Sequence, residues 1–436
     1  MNIILLSGGS GKRLWPLSND IRSKQFIKIF KLPDGQYESM VQRVYRQIKK
    51  TDTNAKVTVA TSKSQVSTLY NQLGDSIGIS VEPCRRDTFP AMALAAAYLH
   101  DIQEVAEEES IVICPVDPYV EDDYFIALSK LGMLVQKTDV KLMLMGIEPT
   151  YPSEKYGYII PDTREEISKV RMFKEKPNTK TAGRYIAEGA LWNGGVFACK
   201  LSYLLDKAHD LIEFSDYNDL FAKYSSIEKI SFDYAVVERE RDIAVMRFNG
   251  QWKDMGTWNT MTEAMVDPNI GKAILDDKCR NVHVINELTV PILCMGLNNI
   301  VVSASPEGIL VSDKERSSAI KPYVDQIDQQ VMFAEKSWGY FTVLDMEEDS
   351  MTIKVLLKAG HRMNYHSHMY RDEVWSVIEG EGIATLDGQE KKIGVGDIIK
   401  TPIGCKHTVY AQTELKMIEI QLGKDISVHD KTKYTL

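Results

Sequence analysis

A glycine-rich run with two adjacent cations lies near the start of the chain and follows Ile3-Ile4-Leu5. It reads Leu6-Ser7-Gly8-Gly9-Ser10-Gly11-Lys12-Arg13. Glycines let a backbone turn sharply and bring its N–H groups against a phosphate chain, and the two cations supply opposite charge. A Walker loop would have Ser or Thr after Gly-Lys, and a dinucleotide-binding loop would have a further glycine and a downstream acidic residue. The run therefore indicates either a nucleoside triphosphate site of another class or only a tight strand-to-helix turn.

A second group of reactive side chains lies near the C-terminus. His366, His368, Glu373 and His407 occur at the spacing of the two cupin motifs, with Gly360, Gly380 and Gly396 at the positions that those motifs require. Only the final Asn of the second motif is missing, because Ala411 stands there. Imidazole and carboxylate groups that converge in one barrel can bind a divalent transition metal such as Zn²⁺. The pattern does not identify the metal.

The elements between these groups predict the fold. Apolar runs at 56–61, 110–114 and 140–145 alternate with helical patterns at 91–105 and 124–137. This βαβ order predicts an α/β, Rossmann-like domain with a mainly parallel sheet, in which ligands bind at the carboxyl ends of the strands. Short strands follow, and glycine-separated strands from about residue 330 predict an antiparallel barrel. We place the α/β domain at 1–266, a small β-rich connector at 267–328, and the barrel at 329–436.

The glycine-rich run continues to Leu14-Trp15-Pro16-Leu17 and then to Lys24-Gln25-Phe26. The pattern G-G-x-G-x-R-L-x-P-L followed by K-Q-F resembles the signature of sugar nucleotidyltransferases. With Trp15 it is similar to the mannose-1-phosphate guanylyltransferase branch, although this chain has Asn19 where Arg is common and Ser23 where Pro is usual. Further family segments occur in family order over residues 3–260.

The resemblance implies roles for individual residues. Arg13 and Lys24 would contact the triphosphate, as a bidentate fork and a point charge respectively. Asp117 and Asp254 would bind Mg²⁺, which takes a few carboxylates together with phosphate oxygens. These four residues form the predicted catalytic set. Without the motif series, an aspartate at a strand end is more often a helix cap or a turn former.

The remaining predicted site residues also follow from the resemblance. The predicted nucleotide-binding residues are Leu6, Gly8, Gly9, Gly11, Lys12, Arg13, Lys24, Glu82, Arg86, Asp87 and Thr88. The predicted sugar-binding residues are Gly157, Glu175, Lys176 and Asn193. Asp87 replaces the Asn that is usual in the family, and an ionised Asp only accepts hydrogen bonds. Another base or sugar therefore remains an alternative to GTP and mannose 1-phosphate.

The order of transferase segments followed by cupin motifs resembles bacterial bifunctional mannose-6-phosphate isomerase/mannose-1-phosphate guanylyltransferases. The isomerases typically have Gln at the position of His366, and arginines near the C-terminus, whereas no arginine follows Arg371 here. The barrel is therefore predicted either to isomerise mannose 6-phosphate and fructose 6-phosphate, to catalyse another sugar reaction, or to be a structural, dimerising domain.

Composition limits the other functional classes. The chain has 436 residues and a net charge of −9 at pH 7, which argues against general nucleic-acid binding. It contains no long uncharged apolar run, and its six cysteines are scattered without C-x-x-C spacing. We expect a cytoplasmic homodimer with reduced cysteines that binds neither membranes nor nucleic acids.

The expected reaction is nucleotidyl transfer from GTP to mannose 1-phosphate, giving GDP-mannose and pyrophosphate for glycan precursor synthesis. A protein that also isomerises mannose 6-phosphate is the first alternative. A sugar-nucleotide sensor without turnover is the second, although Asp117 and Asp254 argue against it, because a sensor has no need of metal ligands.

Overall fold

The computed structural model describes residues 1–9, 12–19, 21–327, 331–424, 426 and 430–435. Gly11, one of the predicted nucleotide-binding residues, lies outside the described residues. The chain folds into two compact units. The first unit comprises residues 1–9, 25–66 and 75–256, and the second comprises residues 10–24, 67–74 and 257–436. The predicted domain limits at 266 and 328 stay a prediction.

The first unit contains strands β1 (Asn2–Ser7), β2 (Lys28–Lys31), β3 (Tyr37–Ser39), β4 (Lys56–Ser62), β5 (Gly78–Glu82), β6 (Ser110–Pro115), β7 (Pro118–Val120), β8 (Leu142–Ile147), β9 (Tyr158–Pro161), β10 (Ile167–Lys174), β11 (Leu191–Lys200), β12 (Ile243–Phe248) and β13 (Trp252–Asp254). The helices up to this point are α1 (Met40–Thr51), α2 (Val66–Leu73), α3 (Thr88–Ala97), α4 (Asp122–Lys137), α5 (Thr179–Ala187), α6 (Leu201–Leu211) and α7 (Tyr217–Lys223). Most of α2 belongs to the second unit.

One sheet of nine strands forms the centre of the first unit, in the order β5-β4-β1-β6-β11-β8-β12-β10-β9. Strands β5, β4, β1 and β6 are parallel, as are β8 and β12. Strand β11 runs antiparallel to both β6 and β8. The predicted α/β class is confirmed, but the sheet is mixed, because β9 and β10 form a hairpin and β11 enters against the direction of its neighbours.

Helix α3 lies in the core of the first unit and fixes the position of the segment before it. All but the first of its residues are buried, and several of them are alanines, which allow close packing against the sheet. Its N-terminal cap is Asp87, whose side chain accepts a hydrogen bond from the Thr88 N–H. The core packing of α3 therefore positions the predicted residues Asp87 and Thr88.

The longest segment of the second unit, residues 257–436, starts with α8 (Trp258–Glu263). A run of short strands follows this helix. These are β14 (Asn269–Ile270), β15 (Ala273–Leu275), β16 (His283–Asn286), β17 (Ile292–Cys294), β18 (Ile300–Ser305) and β19 (Gly308–Asp313), followed by α9 (Lys321–Val324). Strands β14, β16 and β18 pair in parallel, and so do β15 and β17. Successive parallel strands of this kind form the coils of a short β-helix.

The C-terminal barrel consists of strands β20 (Phe333–Lys336), β21 (Gly339–Met346), β22 (Ser350–Leu357), β23 (His366–Ser367), β24 (Arg371–Glu379), β25 (Gly382–Leu386), β26 (Gln389–Ile393), β27 (Ile398–Thr401), β28 (His407–Ala411), β29 (Leu415–Gly423) and β30 (Thr432–Lys433). They form antiparallel sheets of six and five strands. Trp375 and Met417 lie among the apolar side chains between them. The predicted antiparallel cupin fold is confirmed.

All six cysteines are free. Among the described residues, no helix combines the length and the apolar character that crossing a membrane requires.

Candidate functional site

Two adjoining cavities lie at one edge of the central sheet in the first unit. The first, which we call the glycine-loop cavity, has a volume of about 450 Å³ and is lined by Gly8, Gly9, Glu82, Asp87 and Thr88, among others. The second, which we call the carboxylate cavity, has a volume of about 230 Å³ and is lined by Gly157, Glu175, Asn193 and Asp254, among others. Pro115, Asp117, Gly195 and Asp233 line both cavities. Most of the predicted nucleotide-binding and sugar-binding residues of this unit therefore lie in two neighbouring spaces with a shared wall.

Asp117 and Asp254 are brought to this place by a small antiparallel ribbon. Asp117 follows the end of β6, and β7 begins directly after it. Strand β13 pairs with β7 so that Asp254 lies opposite Pro118. Both carboxylates line the carboxylate cavity. A pair of carboxylates facing one cavity fits Mg²⁺, which takes few protein oxygens and keeps sites for phosphate and water.

The carboxylate of Glu175 is fixed inside the carboxylate cavity by its neighbours. It is buried, and its Oε1 accepts a hydrogen bond from Lys176 Nζ at 2.6 Å. A methyl group at Gly157 would lie 2.5 Å from Glu175 Oε2, so that only glycine leaves room for this carboxylate. Lys176 itself is more than half exposed. Partial burial lowers its pKa, but the hydrogen bond to Glu175 and the negative charges of Glu175 and Asp233 together outweigh this effect, so the pKa is raised.

Asn193 connects the wall of the carboxylate cavity to Asp233. Its Nδ2 donates to Asp233 Oδ1 at 2.7 Å, and its Oδ1 accepts from the Gly195 N–H at 3.1 Å. Burial, together with the neighbouring Glu175 carboxylate, raises the pKa of Asp233 to about 7. The side chain that lies between the two cavities therefore changes its charge near neutral pH.

The glycine-loop cavity presents both acceptors and a donor. Glu82 is buried and accepts a hydrogen bond from the Tyr224 hydroxyl at 2.7 Å, and burial raises the pKa of its carboxyl group. Asp87 has φ of 72° and ψ of −173°, a region that residues other than glycine rarely occupy. Arg85 lines this cavity as well, whereas the Arg86 guanidinium donates to the Ser225 carbonyl oxygen.

The other predicted triphosphate ligands lie in the segment of residues 12–24, which belongs to the second unit. Arg13 is exposed and Lys24 is half-buried. Lys12 forms an ion pair with Asp325 at 2.9 Å. The assignment of Arg13, Lys24 and Lys12 to the nucleotide stays a prediction from the motif.

Three buried histidines converge in the barrel. Strand pairing sets His366 opposite His407, and one nitrogen from each of His366, His368 and His407 lies within 4.8 Å of the others. The Nδ1 atoms of these three rings each face a backbone carbonyl oxygen, those of Asn364, Asp430 and Cys405. For His366 and His407 this arrangement places the proton on Nδ1 and leaves a lone pair on Nε2.

The Nε2 atoms of His366 and His407 are 3.2 Å apart, and two lone pairs at this distance cannot bond to each other without a cation or a proton between them. Burial lowers the pKa of His407 to about 4, so this ring is neutral at pH 7. Glu373 lies beside the triad, with Oε1 2.9 Å from His368 Nε2. The donor set fits a divalent transition metal.

The histidine site opens into a cavity of about 120 Å³ inside the barrel. Its wall is mostly apolar and aromatic, but Lys336, Arg371 and Lys431 line it as well. Arg371 Nε donates to Glu373 Oε1 at 3.0 Å, which holds that carboxylate beside the triad. Glu373 and Glu419 line the cavity too, so that its wall carries carboxyl groups as well as cations.

Residues 2–269, more than half of the chain, match the sequence profile of the nucleotidyl transferase family. The chain belongs to the nucleotidyl transferase family. Residues 325–434 match a second profile, that of the mannose-6-phosphate isomerase C-terminal region.

Several named proteins resemble this nucleotidyl transferase over nearly its whole length. The xanthan biosynthesis protein XanB of Xanthomonas campestris is 26% identical over 99% of this chain and 97% of its own. The mannose-1-phosphate guanylyltransferase of Escherichia coli K12 is likewise 26% identical, with the same two coverages. A crystal structure of a mannose-1-phosphate geranyltransferase from Thermus thermophilus is 25% identical, has a TM-score of 0.62, and covers 74% of this chain and 98% of its own.

Besides the predicted residues, the carboxylate cavity of this nucleotidyl transferase is lined by others, among them Asp233 and Trp252. Asp233 lies in the run Ser231-Phe232-Asp233-Tyr234-Ala235-Val236 and was not among the predicted site residues. Trp252 begins the run Trp252-Lys253-Asp254-Met255-Gly256-Thr257-Trp258, and its buried Nε1 has no hydrogen-bond partner among the described residues. The sequence offered one signal for Trp252, namely its position two residues before Asp254, the proposed Mg²⁺ ligand.

Proposed function

We propose that this nucleotidyl transferase transfers GMP from GTP to mannose 1-phosphate, giving GDP-mannose and pyrophosphate. The observation that carries the proposal is the pair of adjoining cavities with Asp117 on the wall that they share. One cavity is lined by the glycine loop and the other by the sugar-binding motifs. The full-length similarity to a mannose-1-phosphate guanylyltransferase supports the choice of base and sugar.

The nucleotide would occupy the glycine-loop cavity. Leu6, Gly8 and Gly9 at the end of β1 offer backbone groups to the phosphates. Glu82 offers carboxylate oxygens, which accept from the N–H groups of guanine or from ribose hydroxyls. Asp87 lines the same cavity, and its side chain accepts a hydrogen bond from the Thr88 N–H. Arg13 and Lys24 are assigned by their motif to neutralise the triphosphate and the pyrophosphate that leaves.

The sugar phosphate would occupy the carboxylate cavity. Glu175 accepts hydrogen bonds from sugar hydroxyls, and Asn193 donates hydrogen bonds to them. Gly157 leaves room for the Glu175 carboxylate. Lys176 would attract the phosphate. The phosphate oxygen of the sugar attacks the α-phosphorus of the nucleotide, a P–O bond forms there, and the bond from the α-phosphorus to the pyrophosphate oxygen breaks.

Mg²⁺ held by Asp117 and Asp254 would neutralise charge on the phosphates when bound. The chain's own contribution is to place two carboxylates at the shared wall and to orient both substrates in line.

Pyrophosphate release by the purified chain with Mg²⁺ tests the proposal, with GTP, ATP, CTP and UTP each paired with a panel of sugar 1-phosphates. GTP with mannose 1-phosphate should give the highest kcat/KM. Asp254→Asn should lower kcat at least about 100-fold, because a lost charge at the reacting phosphates removes several kcal/mol of stabilisation. Asp162→Asn, at an exposed carboxylate of the same unit, is the matched control and should react like the wild type. Another preferred pairing, or an unaffected Asp254→Asn, would contradict the proposal.

A second activity in the barrel is favoured by the histidine triad together with the match to the isomerase C-terminal region. We propose slow interconversion of mannose 6-phosphate and fructose 6-phosphate there. The cavity of about 120 Å³ is closer to the size of a benzene molecule than to that of a phosphohexose, so entry of the sugar requires the cavity to widen. A coupled assay with Zn²⁺, Mn²⁺ or Fe²⁺ tests it, and no product above a His366→Ala background would exclude it.

We further propose that the protein acts as a homodimer in the cytoplasm, using a nucleoside triphosphate and a sugar phosphate as its substrates. Sedimentation equilibrium at micromolar concentration measures the oligomeric state, and a monomer mass would exclude the dimer.

A further inference from the structure

The segment of residues 12–24 carries Arg13 and Lys24, and its contacts are unusual for its place in the sequence. Strands β1 and β2, which precede and follow it, belong to the first unit, whereas the segment itself belongs to the second. We call it the signature segment. Its anchoring contacts are with residues near 258, 287, 307 and 325, more than two hundred positions away.

The strongest of these anchors is a bidentate ion pair. Arg22 Nη1 and Nη2 donate to the two oxygens of Glu287 at 2.7 and 2.8 Å. Arg22 is only 9% exposed, and its guanidinium carbon lies 5.1 Å from the centre of the Phe333 ring. Glu287 directly follows β16 of the β-helix. A planar guanidinium that is held at both nitrogens and against a ring has one orientation, so Glu287 fixes the backbone two residues before Lys24.

A second carboxylate ties the same segment to the barrel. Glu307 Oε1 accepts a hydrogen bond from Asn19 Nδ2 at 3.1 Å. The same oxygen accepts from the backbone N–H of Met332 at 2.9 Å, immediately before β20. Asn19 Oδ1 in turn accepts from the Arg22 N–H at 2.7 Å. Glu307 therefore connects the signature segment, the β-helix and the first barrel strand through one oxygen atom.

The start of the signature segment is held by packing. Trp258 is fully buried, and its Nε1 donates to the Trp15 carbonyl oxygen at 3.1 Å. A methyl group at Gly308 would lie 2.5 Å from the Trp15 ring, so the turn between β18 and β19 is in close contact with this side chain. Both ends of the segment are thus fixed within the second unit.

We propose that Glu287 and Glu307 are positioning residues for nucleotidyl transfer, because they hold the signature segment in the conformation that directs Arg13 and Lys24 to the triphosphate. The inference rests on the proposed function for the roles of Arg13 and Lys24. It gives the β-helix and the barrel a part in the transfer reaction that does not depend on any chemistry in the barrel itself.

Steady-state kinetics of Glu287→Gln, Glu307→Ala and Glu307→Gln test the proposal. Glu287→Gln should raise KM for GTP and lower kcat/KM for GTP by roughly tenfold or more, since a displacement of about 1 Å of a positioned group can cost about 100-fold. KM for mannose 1-phosphate should stay within about twofold, because the carboxylate cavity is untouched. Glu307→Gln keeps an accepting oxygen and should be mild, whereas Glu307→Ala should resemble Glu287→Gln.

A matched control is available in the first unit. Glu38 is buried and holds Arg46 through two hydrogen bonds of 2.9 and 2.6 Å. Glu38→Gln removes a bidentate pair of the same kind away from the signature segment, and it should leave KM for GTP unchanged. The double variant Arg22→Gln/Glu287→Gln should be no worse than either single variant if the two side chains act as one unit.

Limited trypsin digestion gives a readout that does not depend on turnover. Cleavage after Arg13 and Lys24 should be at least severalfold faster in Glu287→Gln than in the wild type, and unchanged in Glu38→Gln. If the wild type makes no GDP-mannose, the proposed function fails, and the digestion still tests the anchoring. Glu287→Gln and Glu307→Ala variants that are cleaved and react like the wild type would overturn the inference.

Discussion

The amide of Asn193 donates to the Asp233 carboxylate at 2.7 Å, on the wall between two cavities. Burial and the neighbouring Glu175 carboxylate raise the pKa of Asp233 to about 7. A carboxyl group whose pKa is raised on folding stabilises the native state at a pH below its unfolded pKa of about 4, and this stabilisation is lost as the pH rises through about 7.

Asp233→Asn should therefore stabilise the protein at pH 8, by roughly 2–4 kcal/mol, and change its stability little at pH 4. The amide keeps an oxygen for the Asn193 bond but carries no charge. Urea unfolding of the variant and the wild type between pH 4 and pH 8 measures the difference. A gain that is equal at all pH values would show that Asp233 does not titrate in this range.

Gly157→Ala should impair sugar binding selectively. The added methyl group would lie 2.5 Å from Glu175 Oε2 and 2.9 Å from the Phe173 ring, so the Glu175 carboxylate must move out of its place. We expect KM for mannose 1-phosphate to rise about tenfold or more, with KM for GTP unchanged. Gly183→Ala is the control, because a methyl group on that helical glycine meets nothing within 4 Å. Equal kinetic effects of the two variants would contradict the assignment of the carboxylate cavity to the sugar.

Asp87→Asn should strengthen nucleotide binding. The Asp87 carboxylate lines the glycine-loop cavity, and a negative charge near a triphosphate repels it. The amide oxygen of Asn can still cap α3 at the Thr88 N–H, so stability should change by less than about 0.5 kcal/mol. KM for GTP should fall, by up to about tenfold, and less so at high salt. An increase in KM would mean that the carboxylate itself accepts a hydrogen bond from the nucleotide.

Removal of a metal ion from the histidine triad should destabilise the barrel. We expect one divalent ion per chain after reconstitution, measured by elemental analysis, and a lower melting temperature after chelation, because binding to the native state stabilises it. His407→Ala should abolish the bound ion. His361→Ala, at an exposed histidine of the same barrel, should retain it. A full metal content in His407→Ala would place the ion elsewhere.

The sequence predicted the parts of the site that depend on local motifs. Gly8 and Gly9 were expected at the end of β1, and Gly157, Glu175 and Asn193 were expected together, and each group lines one cavity. The sequence did not predict which of two neighbouring side chains faces the cavity. Arg86 was predicted to bind the nucleotide, but Arg85 lines the glycine-loop cavity. Strand β11 was not among the predicted strands, and its antiparallel direction has no sequence signal, because an apolar strand reads the same in both directions.

The contacts of the signature segment had no sequence signal at all. Arg22 and Glu287 are separated by 265 positions, and an arginine in a turn is usually solvated. Only the folded chain brings them together, since no local periodicity or motif relates the β-helix to the glycine loop.

The membership of the signature segment in the second unit limits how this gene can be divided. Ile21 packs against the apolar core of the barrel, and Trp15 and Asn19 supply partners to Trp258 and Glu307. A fragment that starts at residue 257 would lack these side chains and expose the surfaces that they cover. The C-terminal half therefore cannot be exchanged between relatives by itself. A chimera that takes this half from a relative must take residues 10–24 from the same relative.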